Sequence, residues 1–175
     1  MSSLDVLARL VLFLLLASSI SSKATILEHA CKHVAANSNG VVGYDYCIKF
    51  FKADKGSTTA DRLGLALIAA NITKVAAKNI SERIAVLQAS EKGILIQKCL
   101  NYCAQMYSKT VHDLDAVMNE TVWTALSCLA DAADVADKCE GVFGDMNQTS
   151  LLSAENSKFT KMAYIAVLVY PLEGN

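Results

Sequence analysis

Apolar side chains return along most of this chain at steps of three or four residues. From Thr59 onward Leu65, Ile68, Ile72, Val75, Ile80, Ile84 and Leu87 recur at helical steps, which places them on one face of an amphipathic helix. That helix is expected to begin near Ser57 to Asp61 and to fray around Ser90 to Gly93. A second stripe runs Ile96, Leu100, Cys103, Tyr107, Val111, Leu114 and Met118. A third runs Val122, Leu126, Leu129, Ala133, Ala136, Glu140 and Phe143, in which only Glu140 is out of character. The fourth opens at Ser153, a residue suited to cap a helix, carries Phe159, Met162, Ala166 and Val169, and stops before Pro171.

Four stripes of about five turns each, joined by short connections, predict an all-α fold, an antiparallel four-helix bundle, over residues 57–175. Residues 24–56 read as a helical hairpin ahead of it, turning at Gly40-Val41-Val42-Gly43. A hairpin of that size cannot hold a core alone and needs a staple, which Cys31 and Cys47 supply. Composition agrees with a helical domain, since the chain has one proline and only 7% aromatic residues. Its 16 basic and 17 acidic side chains nearly cancel, which excludes a polybasic nucleic-acid binder.

At the N-terminus Arg9 precedes an uninterrupted apolar run from Leu10 to Ala17 and then a small polar stretch. This pattern predicts a secretory signal peptide over residues 1–23, because the run is far shorter than the ~20 residues of a spanning helix. No membrane association is therefore expected. All six cysteines follow the predicted cut, as do four Asn-x-Ser/Thr sequons at Asn71, Asn79, Asn119 and Asn147, the N-glycosylation candidates of an exported chain.

Helix geometry prunes the cysteine pairings. If Asn119 to Thr121 turns one helix back on the next, facing residues have numbers summing to about 240. Both Cys103 and Cys99 then suit Cys139. Pairing Cys128 with Cys99 would require closing an axial offset of roughly 20 Å, against the ~7 Å that a disulfide tolerates between Cα atoms. Cys128 is expected to be unpaired.

Chemistry of a catalytic kind finds little support. His29 and His33 share a helix face but lack an HExxH setting and a third ligand. His112 beside Asp113 has no nucleophile turn to serve. Phosphate-cradling glycine loops are missing. The sequence thus predicts no catalytic residues, no metal and no cofactor. Asp131, Asp134 and Asp137 draw an acidic line along the third helix, either its water-facing side or a contact strip for a basic partner. Trp123, the one tryptophan, stands at a hairpin tip and either packs on the bundle end or anchors a partner.

A stapled hairpin followed by Cys-x-x-x-Tyr and a second bridging cysteine before an acidic residue and Phe resembles the plant invertase and pectin methylesterase inhibitor family. The matching pieces are Cys31-Lys-His-Val, Tyr44-Asp-Tyr-Cys47, Thr59-Ala-Asp-Arg-Leu-Gly-Leu65, Ala69-Ala-Asn71, Leu100-Asn-Tyr-Cys103, Tyr107, and Ala136-Asp-Lys-Cys139-Glu140 through Phe143. They cover nearly the whole chain after the predicted cut. Within the family the chain looks closest to invertase inhibitors of the plane-tree pollen allergen type.

The resemblance implies a four-helix bundle with an N-terminal hairpin, disulfides Cys31 to Cys47 and Cys103 to Cys139, and thereby an unpaired Cys99 beside Cys128. It implies a secreted, non-enzymatic protein of the apoplast or vacuole, monomeric, whose partner is a target enzyme: an invertase, or alternatively a pectin methylesterase. A non-inhibitory structural or allergen-like member of the same fold is the other reading. Cell-wall invertase inhibitors of the family carry a Pro-Lys-Phe motif between the second and third bundle helices. Here that loop reads Asn119-Glu-Thr-Val-Trp-Thr124 and the motif is absent from the chain, so Glu120, Trp123 and Thr124 become the candidate partner contacts.

Overall fold

The computed structural model describes residues 26–116 and 122–170, except for the side chains of residues 122–124. The predicted signal peptide and the loop carrying Asn119 and Glu120 lie outside the described residues. A first helix, α1, covers residues 26–37. It is followed by α2 (Tyr44–Phe51), a 3-10 turn (Lys55–Thr58), α3 (Arg62–Ser90), α4 (Ile94–Ala116), α5 (Val122–Asp145) and α6 (Ser153–Val169). Among the described residues there is no strand.

Local chemistry accounts for the boundaries. The α1–α2 turn passes through Asn39 at φ 50° and Gly40 at φ 81°, left-handed backbone that asparagine and glycine accept most readily. Buried Ser38 ties the turn from inside, its Oγ donating to the Val42 carbonyl at 3.1 Å and accepting from the Val42 N–H at 3.0 Å. Asp61 caps α3, accepting from the Gly64 N–H at 2.8 Å, so α3 starts at Arg62 and the preceding Ser57 and Thr58 form a separate 3-10 turn capped by Asp54. The tight α3–α4 connection is held by the Gln97 amide, which donates to the carbonyls of Gln88 and Glu91 at 2.8 and 2.7 Å. α5 ends with Asn147 at φ 52°; the Gln148 N–H reaches the Phe143 carbonyl and the Asn147 N–H the Gly144 carbonyl, which satisfies carbonyls the helix end would leave orphaned.

The four long helices close a ring: α3 packs on α4, α4 on α5, α5 on α6, and α6 back on α3. They run to 29, 23, 24 and 17 residues, so α3 makes about eight turns instead of the expected five. α3 is long and apolar enough to cross a bilayer by length and composition alone, yet it serves as one wall of this bundle.

Two stacked apolar clusters fill the interior. One joins Cys31, Val34, Cys47 and Phe51 of the hairpin to Leu65, Ala69, Leu114, Leu129, Ile165 and Val169 of the bundle. The hairpin thereby seals the end where α3 begins and α6 finishes, and Lys161 of α6 lies over the Tyr46 ring at 5.5 Å. The other cluster gathers Ile80, Ile84, Leu100, Tyr107, Phe143 and Phe159 around Cys103 and Cys139.

Two further expectations need correction. Val75, assigned to the inward stripe of α3, is 48% exposed; the stripe instead passes through Thr73 and Ala77, both fully buried, because small residues let α6 approach closely. Thr73 donates from Oγ1 to the Met162 carbonyl of α6 at 3.3 Å. Ser153 does not cap α6. Leu152 holds the cap position, and the Ser153 hydroxyl is drawn to Glu140 instead, at 2.8 Å.

Candidate partner interface

The surface that could meet a partner is held in shape by two cross-links and one polar cluster. Cys31 is bonded to Cys47 and Cys103 to Cys139, with Cα separations of 5.5 and 5.0 Å. The second bridge ties α4 to α5 beside a network centred on Glu140. This half-buried carboxylate accepts from Ser150 Oγ at 2.7 Å, from Ser153 Oγ at 2.8 Å and from the Asn156 amide. Asn156, itself buried, accepts from the Tyr107 hydroxyl at 2.6 Å. Burial, reinforced by the charges of Glu140, Glu155 and Asp137, pushes the Tyr107 phenol far above its ordinary range. A neutral tyrosine, an amide and a carboxylate thus fasten α4, α5 and the start of α6 in one register.

At the opposite end, near the α4–α5 junction, α1, α5 and α6 enclose a groove of about 520 Å³. Leu126, Ala130 and Tyr170 line it, with His29, His33 and Arg62 among its polar groups. The two histidines that the sequence placed on one helix face therefore look onto α5. Among the described residues no three His, Cys, Asp or Glu side chains converge as a metal-binding group.

On α4 the same end carries a charge cluster. Lys109 pairs with Asp113, whose carboxylate also lies 3.4 Å from His112 Nδ1. Lys74 of α3 meets Asp115 at 2.9 Å. Partial burial opposes ionisation of Asp113, but the hydrogen bonds from Lys109 and His112 outweigh it and hold the carboxyl below its ordinary range. This is an ion-pair cluster on an outer face.

The remaining candidates fall in different places. Trp123 and Thr124 stand in the first turn of α5, with their side chains outside the description. Asp131, Asp134 and Asp137 are exposed along α5, and Asp134 lies 3.7 Å from Lys138. Asn71, Asn79 and Asn147 are all exposed. Cys99 is fully buried, its sulfur 3.5 Å from Met146 Sδ, and burial pushes its thiol up in pKa, as expected of a packing residue and not of a reactive thiol. Cys128 is half-buried and packs against the hairpin-end cluster. Sequence reasoning missed Arg62, Asn156 and the groove. For Glu140 a signal existed, an acidic residue inside an apolar stripe.

Comparison with known proteins places this architecture. The profile described as "Plant invertase/pectin methylesterase inhibitor" matches residues 25–168, from the hairpin almost to the end of α6. The chain belongs to the plant invertase/pectin methylesterase inhibitor family. A protein of Platanus acerifolia named "Putative invertase inhibitor" is 30% identical to it over 93% of this chain and 92% of its own length. The "Cell wall / vacuolar inhibitor of fructosidase 2" of Arabidopsis thaliana is 29% identical over 73% of this chain and 70% of its own. "Pectinesterase inhibitor 8" of Oryza sativa subsp. japonica is 29% identical over 81% and 80% respectively. This family member is therefore similar to proteins named for two different target enzymes.

Proposed function

We propose that this chain is an exported inhibitor of a plant carbohydrate-active enzyme, an invertase before a pectin methylesterase, and that it acts as a monomer in the apoplast or vacuole by occluding the enzyme's active site. The observation that carries the reading is the family match across every described helix, on a fold with one bridge inside the hairpin and another tying α4 to α5. A preorganised surface loses little ordering entropy on docking. The invertase preference follows the names of the Platanus and Arabidopsis relatives; the rice relative supports the alternative. Glu120, Trp123 and Thr124, in the sequence between the end of α4 and the first turn of α5, are the proposed contacts.

The test is inhibition of a cell-wall or vacuolar invertase and, separately, of a pectin methylesterase by the purified secreted protein between about pH 4 and 7. Loss of invertase activity at micromolar inhibitor is expected. Full activity of both enzymes would overturn the proposal in favour of a non-inhibitory member of the fold. Trp123→Ala should weaken inhibition at least tenfold, a loss of about 1.4 kcal/mol; unchanged potency would move the interface onto the helix faces.

A further inference from the structure

The Asn79-Ile80-Ser81 sequon stands on α3 at the rim of a shallow groove of about 270 Å³ between α3 and α6. Asn79 itself is exposed. Ile80 and Phe159, 6% and 1% exposed, form its buried floor, and the half-buried Ala76 and Met162 give the groove its accessible apolar surface. Arg83, Glu155 and Lys158 supply its charged lining, with Arg83 Nε 3.9 Å from Glu155 Oε1. Such a surface, apolar below and charged at the edge, complements one sugar ring, which has a C–H face and a girdle of hydroxyls. Its volume is below the about 300–1,000 Å³ of a drug-sized site. Asn71, two turns earlier, is exposed outside this groove.

We propose that Asn79 carries an N-linked glycan whose first N-acetylglucosamine lies in the α3–α6 groove and braces the two helices. The inference rests on the exported reading above. In the attachment step the Asn79 Nδ2 displaces the pyrophosphate of a lipid-linked oligosaccharide donor at the sugar C1. A C–N bond forms, the C1–O bond to pyrophosphate breaks, and the amide gives up one proton. Transfer to the chain before it folds needs only the sequon; afterwards the fold presents Asn79 outward with the groove beside it. A glycan here also removes the α3–α6 face from the surfaces open to a target enzyme.

The experiment uses the full chain secreted from plant cells held to high-mannose glycans. Enzymatic release of the glycans in heavy-oxygen water should convert Asn79 to a labelled aspartate in the peptide map. Protein trimmed by an endoglycosidase to one N-acetylglucosamine should melt with the intact glycoprotein. Both should melt about 2–4 °C above Asn79→Gln and Ser81→Ala, whereas Asn71→Gln should leave the melting temperature unchanged. An unlabelled Asn79, or trimmed protein melting with either sequon variant, would overturn the inference. Mass and melting are read without any target enzyme, so a failure here is distinguishable from a failure to inhibit.

Discussion

Glu140 is a carboxylate in a stripe otherwise built of small and apolar residues, and it is tolerated because three side-chain donors converge on it. Replacing it with alanine leaves the buried Asn156 amide only the weakly accepting Cys139 sulfur at 3.4 Å, so Glu140→Ala should cost about 2–3 kcal/mol, read as a fall in chemical-denaturation stability. Tyr107 adds a pH dependence. Its folded-state pKa is raised, so its stabilisation is complete below about pH 10 and fades above it, where the unfolded chain ionises more readily. Tyr107→Phe should be less stable at pH 7, and the gap should narrow in melts taken toward pH 11. Asp113 behaves in the opposite sense. Its lowered pKa means a contribution present above about pH 4 and lost as pH falls through the folded value. Asp113→Asn should therefore melt below the wild type at pH 7 and with it in strong acid. Of this chemistry only the anomaly of Glu140 was legible in the sequence. Its partners Ser150, Ser153 and Asn156 come from a loop and another helix, and no local pattern joins them.

The helices show where periodicity succeeds and where it slips. Leu65, Ile80, Ile84 and Leu87 of α3 are buried as the stripe implies. Over eight turns, however, a 3.6-residue period can be threaded through neighbouring apolar positions, and it reaches Val75 where Thr73 and Ala77 face the core. Threonine looks polar in a pattern, but its hydroxyl is answered by the Met162 carbonyl. The hairpin depends on its turn and its bridge. Gly40→Ala places a Cβ on left-handed backbone and should cost about 1 kcal/mol. Opening Cys31–Cys47, which are 16 residues apart, by double replacement with serine should cost about 3 kcal/mol. Hydrogen exchange should then report faster opening of α1 and α2 while the centres of α4 and α5 stay protected.

As a body, the molecule is a ring of four helices with one apolar cluster under the hairpin and another around the Cys103–Cys139 bond. That division keeps the hairpin end, with its groove and the α4–α5 junction, on a support cross-linked separately from the far end. The sequence alone determined the all-helical class and the order of hairpin and bundle, because amphipathic periodicity and turn residues act over a few neighbours and survive without knowledge of the partner helix. It also left Cys99 and Cys103 as equal candidates for Cys139, since both satisfy the hairpin register. The packed structure, in agreement with the family resemblance, shows which of these two cysteines, both facing α5, lies level with Cys139, and it alone decided which residues of α3 point inward and that His29, His33 and Arg62 share a groove with α5 and α6. Those outcomes depend on the axial register of each helix and on its rotation about its own axis, and both are set by how side chains from several helices fill a common interior.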